Sequence, residues 1–245
     1  MNQDLHLDIF ASIDLESLNL RPGLLRRHDV KYLLHQNKLH HILENCCTDY
    51  LILENKNYRI FQYSTEYFDT MQLDMYHANH RQMAHRYKVR KRAYLQEGIS
   101  YIEIKEKTAR QQTIKHRQLG NNLFEATEFV SLNSPYTVEN LLPKLTIEYQ
   151  RITLLHKTLD LKVTFDLDIS ANALGKNILY PSLVIAESKS QGLKAGAFDH
   201  QMKQMGIQNC RISKYCLGMT SLRKELKHNL FKPTLRAIYK LTENA

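Results

Sequence analysis

The sequence predicts an α+β fold in which antiparallel strands outnumber helices. Three observations carry this. Runs of alternating polar and apolar residues recur along the chain, as in RYKVRKRAY (86–94) and ISYIEIKEK (99–107). The turn signal QEG joins those two runs as a hairpin. Within each run the charged residues keep one parity, which gives a strand one charged face and one apolar face.

The elements follow in order. Residues 4–20 space Leu and Ile as one or two short amphipathic helices, and Pro22-Gly23 ends this leader, set at 1–25. RRHDVKYLL (26–34) alternates as a strand, and HQNKLHHILENCC (35–47) puts Leu39, Ile42 and Leu43 on one side of a helix. YRIFQYSTEYFDT (58–70) is aromatic and Thr-rich, hence a strand, and 71–83 reads as a polar connection into the hairpin. A helix is expected around 121–132, then strands at 143–154, 160–169 and 177–190. The tail, 221–245, reads as two short basic amphipathic helices broken before Pro233. With no repeat and no Ser/Gly/Pro linker, a single domain over 1–245 is expected.

Composition narrows the function. Lys plus Arg number 34 against 25 Asp plus Glu, a formal charge of +9, which favours an anionic partner. A 43% apolar content suits a folded chain. Cys46, Cys47, Cys210 and Cys216 make neither a zinc pattern nor a disulfide framework, so a reducing compartment is expected. No secretory leader and no bilayer-length apolar run is visible, so the expectation is a soluble, cytoplasmic protein.

Parity points to a site. Arg86, Lys88, Arg90 and Arg92 share one face of their strand, with Tyr87, Val89 and Ala93 on the other. Glu103, Lys105 and Lys107 share a face, as do Arg27, Asp29 and Lys31, Glu187 and Lys189, and Lys162, Thr164, Asp166 and Asp168. A solvated face explains any one strand. Four cations in a row repel one another unless an anion lies among them, so the repetition points to a cationic cavity for a polyanion with a divalent metal.

Other chemistries are disfavoured. There is no G-x-x-x-x-G-K-[ST] and no G-x-G-x-x-G, and with 8 glycines phosphate recognition must come from side chains. His77, His80 and His85, and His35, His40 and His41, lack a further ligand at zinc spacing. Ser64, Ser188 and Ser213 sit in no G-x-S-x-G elbow, and Tyr63, Tyr67 and Phe68 form no recognised nucleic-acid platform. The basic tail (Arg223, Lys224, Lys227, Lys232, Arg236, Lys240) reads as a solvated helix side, with a membrane surface or protein partner as the second reading.

The blocks RRHDVKYLL, STEYFDT, RYKVRKRAY, YIEIKEK, TIKHR, KLTIEYQR, VTFD, IAESK and RISKYCLG occur in this order between about residues 8 and 225. In them the chain resembles the VTC domain, the catalytic domain of vacuolar transporter chaperone polyphosphate polymerases, within the CYTH or triphosphate tunnel metalloenzyme superfamily. The resemblance implies an eight-stranded antiparallel tunnel barrel with helices outside, binding triphosphate or polyphosphate with Mn or Mg. By matching position it implies phosphate contacts from Lys31, Arg90, Arg92, Lys105, Lys115, Arg151, Arg211 and Lys214, with Tyr149 beside them. It also implies a metal-binding Glu187; apart from the resemblance, Glu103 and Glu148 are further metal candidates. Parity adds Arg27, Lys88, Lys107, Arg117 and Lys189. Where the superfamily's hydrolases carry E-x-E-x-K, this chain has Arg27-His28-Asp29-Val30-Lys31, which resembles the polymerase branch, and Arg211 stands where eukaryotic members carry Lys. The implied activity is transfer of the terminal phosphoryl group of ATP to a growing polyphosphate, with no side-chain nucleophile. A triphosphatase and a non-catalytic polyphosphate or nucleotide binder are the alternatives, and nucleic acid is not an expected partner.

Overall fold

The computed structural model describes residues 5–20, 27–110, 112–191 and 196–243. Strand β1 (Ser12–Ile13) and helix α1 (Leu15–Leu20) precede β2 (Arg27–His35), α2 (Leu39–Cys46), β3 (Tyr50–Leu53), β4 (Phe61–Asp69) and α3 (Asp74–His80). Then come β5 (Arg86–Tyr94), β6 (Ile99–Lys107), β7 (Thr113–Leu119), α4 (Thr127–Asn133), β8 (Leu142–His156) and β9 (Leu161–Ala173). The chain continues with β10 (Lys176–Leu179), β11 (Leu183–Gln191), α5 (Ala197–Gln204), α6 (Lys214–Leu222) and α7 (Lys232–Glu243).

Eight of the eleven strands in the sheet follow the order β2-β11-β9-β8-β4-β5-β6-β7, every neighbour antiparallel, while β3 pairs β8, β10 pairs β9 and β1 pairs β3. The expected eight antiparallel strands are that path, but the sheet is not closed. Among the described residues no ladder joins β7 to β2. Part of the β2 edge is instead covered by the segment before α6, where Cys210 N donates to Lys31 O at 2.8 Å and Asn209 bridges Tyr32.

Period-two alternation gives the sheet two faces with different fates. On the outer face, Val30, Tyr32, Leu34, Ile152, Leu154, Val163, Phe165 and Val184 pack on α2 and α5. Val89, Ile102 and Ile104 pack beneath α4 and the helical turn Leu123–Ala126. On the inner face, one end is filled by Leu33, Ile185, Leu145, Ile147, Ile169 and Ala171 around α6, with Leu235, Ile238 and Leu241 of α7 against them. The remainder of the inner face is charged. The basic tail thus lends its apolar side to the inner core, and Pro233 stands in the first turn of α7, where a missing N–H is harmless.

Several elements depart from the sequence reading. The 71–83 connection contains α3, which forms because the buried Asp69 carboxylate accepts from the N–H groups of Thr70, Met75 and Tyr76 at 2.8–2.9 Å. The 177–190 run is two strands, parted at Pro181-Ser182, where Ser182 has φ 56°. In β9 the parity breaks at Asp168 (φ 47°). Asp166 is buried on the inner face, whereas Asp168 is exposed, and Ile169, Ala171 and Ala173 take over the inner side. The leader contributes β1, paired parallel to β3, as well as α1. No helix among the described residues is long and apolar enough to cross a membrane.

Gly218 lets α6 lie against the sheet: a Cβ there would stand 2.7 Å from Leu145, 3.0 Å from Ile147 and 3.1 Å from Ala171. Gly218→Val is therefore expected to lower stability by ~1–3 kcal/mol through overpacking. Urea unfolding measures it, and a wild-type midpoint would show that α6 does not pack here.

Candidate functional site

Three carboxylates, Glu103 and Asp166 buried and Glu187 nearly so, organise the charged inner face. Asp166 on β9 takes Arg151 of β8 as a two-pronged pair, Nε to Oδ1 at 2.6 Å and Nη2 to Oδ2 at 2.9 Å, and also Lys214 from the first turn of α6. Glu103 on β6 takes Arg90 at 2.6 Å and Lys115, with Arg92 at 4.0 Å. Glu187 on β11 holds Lys31 from β2 and Lys189 at 3.1 Å. Burial alone would raise the pKa of each carboxyl, but the neighbouring cations outweigh it and hold all three well below the usual range.

Tyrosine rings separate the cations. Tyr63 and Tyr149 stack with centroids 5.2 Å apart, and the Arg151 guanidinium lies 5.3 and 5.2 Å from them. Lys214 Nζ is 4.8 Å from the Tyr149 centroid, and the Arg90 guanidinium 5.9 Å from that of Tyr67. Burial pushes the Tyr67 hydroxyl up, yet Arg90, Arg92, Lys88 and Lys214 together bring it below its ordinary value.

The cations outnumber their counter-ions. Among the described residues Lys31, Lys88, Arg90, Arg92, Lys105, Lys115, Arg151, Lys189 and Lys214 share the centre of this face with Asp29, Glu103, Asp166 and Glu187. Register makes the excess worse locally: Lys88, Lys105 and Lys115 stand directly opposite one another across β5, β6 and β7. Like charges so placed repel. Burial, then Lys88 and Lys31, push Lys105 down to about 7; burial brings Lys115 to about 8, with Glu103 opposing. Lys115 lies on the edge strand with a 36% exposed side chain, so solvent screens it more than Lys105. Among the described residues Lys88 hydrogen-bonds only to Ser213 Oγ, at 3.0 Å. Two buried hydroxyls on the same face, Tyr149 Oη and Thr164 Oγ1, have no partner among the described residues. Cations without anions and hydroxyls without acceptors suit a ligand dense in oxygen anions.

Of the residues expected from the sequence, Lys31, Lys88, Arg90, Arg92, Lys105, Lys115, Tyr149, Arg151, Lys189 and Lys214 meet on this face. Arg117 is exposed, with its guanidinium 4.9 Å from the Tyr101 ring centroid. Lys107 lies beside Arg86 at the end of the face nearest α6, and Arg211, exposed, donates to Gln82 Oε1 at 3.3 Å rather than joining the central group. The side chain of Arg27 lies outside the described residues. Glu148 is exposed, on the opposite side of β8 from Tyr149 and Arg151, because adjacent strand residues point to opposite faces; it cannot share a metal with Glu187. Glu103 is inside but committed to Arg90 and Lys115. The sequence reading gives Asp166 and Ser213 no role in the site, although alternation in β9 puts Asp166 on one face with Thr164.

No group of three or more His, Cys, Asp or Glu side chains is gathered as a metal cage among the described residues. Glu187, which here holds Lys31 and Lys189, would offer Mg or Mn a single carboxylate, with the ion's other oxygens to come from phosphates and water.

The VTC domain family matches residues 26–223, so the chain belongs to the VTC domain family. Among curated proteins there is no match. A candidate adenylate cyclase from Bacillus halodurans shares the fold, with TM-score 0.50 and 12% identity over 76% of this chain and 92% of that one. A protein of Pyrococcus horikoshii aligns with TM-score 0.48 and 12% identity over 82% of this chain and 99% of that one. A candidate adenylyl cyclase from Hippeastrum, described as having a dominant triphosphatase activity, aligns with TM-score 0.48 and 11% identity over 79% and 95% of the two chains.

The low pKa of Lys105 sets a sign for stability against pH. With about 7 in the folded protein and 10.5 as its ordinary value, the unfolded chain binds more protons between these limits. The ligand-free protein should therefore become more stable as pH rises from about 7 towards 10, with Lys115 adding from about 8. Lys105→Met should flatten this rise and increase stability at neutral pH. Thermal melting across the window checks it, and a wild-type Tm that falls with pH would refute it.

Proposed function

We propose that the chain is a metal-dependent phosphotransferase that moves the terminal phosphoryl group of ATP onto a polyphosphate chain in this tunnel. The observation that carries the reading is the surplus of cations, most of them half-buried, on neighbouring strands, an arrangement stabilised by a ligand of closely spaced negative charges. The whole chain acts as one tunnel-bearing domain, since the core around α6 and α7 closes one end of the charged face.

Phosphoryl transfer asks little covalent chemistry of a protein; positioning and charge stabilisation dominate. Lys31, Arg90, Arg92, Lys105, Lys115 and Lys214 bind the phosphate oxygens and keep the chain in line. Arg151, fixed by Asp166, presents its remaining N–H groups, and the Tyr149 hydroxyl donates to an oxygen. Glu103 keeps Arg90 and Lys115 in place. A Mg or Mn ion held by Glu187 would neutralise charge on the transferred group, and releasing Lys31 and Lys189 from Glu187 would turn them to phosphate. No side chain is proposed as nucleophile.

A second reading is hydrolysis of a triphosphate in the same tunnel, which α6, packed over one end of the inner face, would favour if it limits a long chain. Incubation with ATP and Mn separates them: polyphosphate as product supports transfer, and orthophosphate alone supports hydrolysis. Arg90→Ala with Arg92→Ala should abolish ligand binding. Glu187→Gln should lower turnover by about 100-fold or more while sparing binding. Wild-type turnover in Glu187→Gln would remove its metal role, and binding without any turnover in the wild-type protein would leave a polyphosphate-binding module.

A further inference from the structure

We propose that His80 is a pH-sensitive latch: its neutral ring holds the connection between α6 and α7 (223–231) against α3, and its protonation in mildly acidic solution releases that connection together with α7. The inference does not depend on what the charged face binds. Helix α3 ends at His80 and forms an aromatic nest with the connection. The His80 ring lies 6.4 Å from that of Tyr76, nearly parallel at 13°, and 5.5 Å from that of Phe231, which itself meets Tyr76 at 6.0 Å. Tyr76 is fully buried, and its hydroxyl donates to Lys227 O at 3.0 Å. Within the connection Phe231 N donates to His228 O at 2.9 Å and His228 Nδ1 to Leu226 O at 2.7 Å, so a defined turn is seated on α3.

A neutral ring suits this place and a charged one does not. His80 Nε2 is buried and has no hydrogen-bond partner among the described residues, so the imidazolium, which carries an N–H on both nitrogens, would leave one without an acceptor. The charges that act most on His80 are cationic or become so: Lys227 and His228 from the connection, His77 and Arg81 from α3 and its end. Carboxylates of the surrounding elements are engaged elsewhere. Asp69, at the end of β4, accepts from Thr70, Met75, Tyr76 and Tyr215, Asp74 Oδ2 accepts from Thr70 Oγ1, and Glu225 pairs with Arg223 at 2.8 Å. Helix α7 has no acidic residue between Lys232 and Thr242. The C-terminal end of α3 favours a cation, but burial and then these charges outweigh it and lower the His80 pKa. Packing alone would be served by phenylalanine; histidine adds a charge that pH controls.

The docked form binds a proton at His80 less readily than the released form, in which the ring meets water and regains its ordinary value of 6.5. Docking is therefore fully present above about 6.5 and weakens as pH falls from there through the lowered value. Protonation of His77 and His228 adds like charge to the same joint. The part released is the one whose Leu235, Ile238 and Leu241 pack on the inner core, so the latch controls how one end of the charged face is closed.

Hydrogen exchange of the whole protein, resolved by peptide at about pH 7.5 and about pH 5.5 and corrected for the intrinsic pH dependence of exchange, tests the latch. Protection of 223–243 should fall by about tenfold on acidification, the effect of one proton held tenfold more tightly by the released form, while β8 and β9 keep theirs. His80→Phe should remove the fall. Lys227→Gln, at an exposed site whose backbone carbonyl still receives Tyr76, should lessen it. The proposal is overturned if wild-type protection of 223–243 is flat with pH, if β8 and β9 lose protection in parallel, or if His80→Phe keeps the wild-type fall. Should His80→Phe not fold, an unchanged fall in Lys227→Gln overturns it instead.

Discussion

The structure depends on one constraint: cations on adjacent strands are forced to face one another inside a curved sheet. Repulsion between such groups acts in a partly desolvated space, where each uncompensated charge costs far more than on an open surface. Glu103, Asp166 and Glu187 relieve part of it by each holding at least two cations. The remainder is concentrated where Lys88, Lys105 and Lys115 oppose one another. On the proposed reading, a phosphate chain supplies the anions that this unrelieved charge lacks.

Carrying this strain requires support from both sides of the sheet. The outer face is covered by α2 and α5 over one half and by α4 over the other, which leaves the inner face free to be polar. At one end the inner face turns apolar and receives α6. The hydroxyl of Tyr215 donates to Asp69 at 2.6 Å, and the Tyr215 ring stacks on Tyr67 at 5.2 Å. Since the same Asp69 carboxylate caps α3, one buried group ties α3, β4 and α6 together and fixes the turn from which Ser213 and Lys214 reach the charged face. Site and core are thus joined through a short run of residues.

Much of this was legible in the sequence because strand parity is local. RYKVRKRAY and YIEIKEK announce their inner and outer faces, and the register places Arg90 beside Glu103 and Lys88 beside Lys105, as alternation requires. What parity could not show is where a strand changes its mind. Asp168 in a left-handed conformation resets β9, so Asp166 alone faces inward while the residues beyond it become core. Helix α3 lies in a polar stretch without amphipathic spacing, and its cap comes from Asp69 on the preceding strand. Arg211 shows the limit of resemblance, since matching position did not reveal that it lies at the margin; Glu148, a metal candidate apart from the resemblance, faces outward. The partners of each buried carboxylate come from strands far apart in the chain, a fact only the fold supplies.

The central claim is that the inner face lacks anions which a phosphate chain provides. Calorimetric titration of tripolyphosphate near pH 7.5, repeated in two buffers of different ionisation heat, tests it most directly. Anions placed beside Lys105 raise its proton affinity, so the account predicts one-to-one binding with net proton uptake from the buffer. Absence of binding, or binding with no proton taken up, would contradict it.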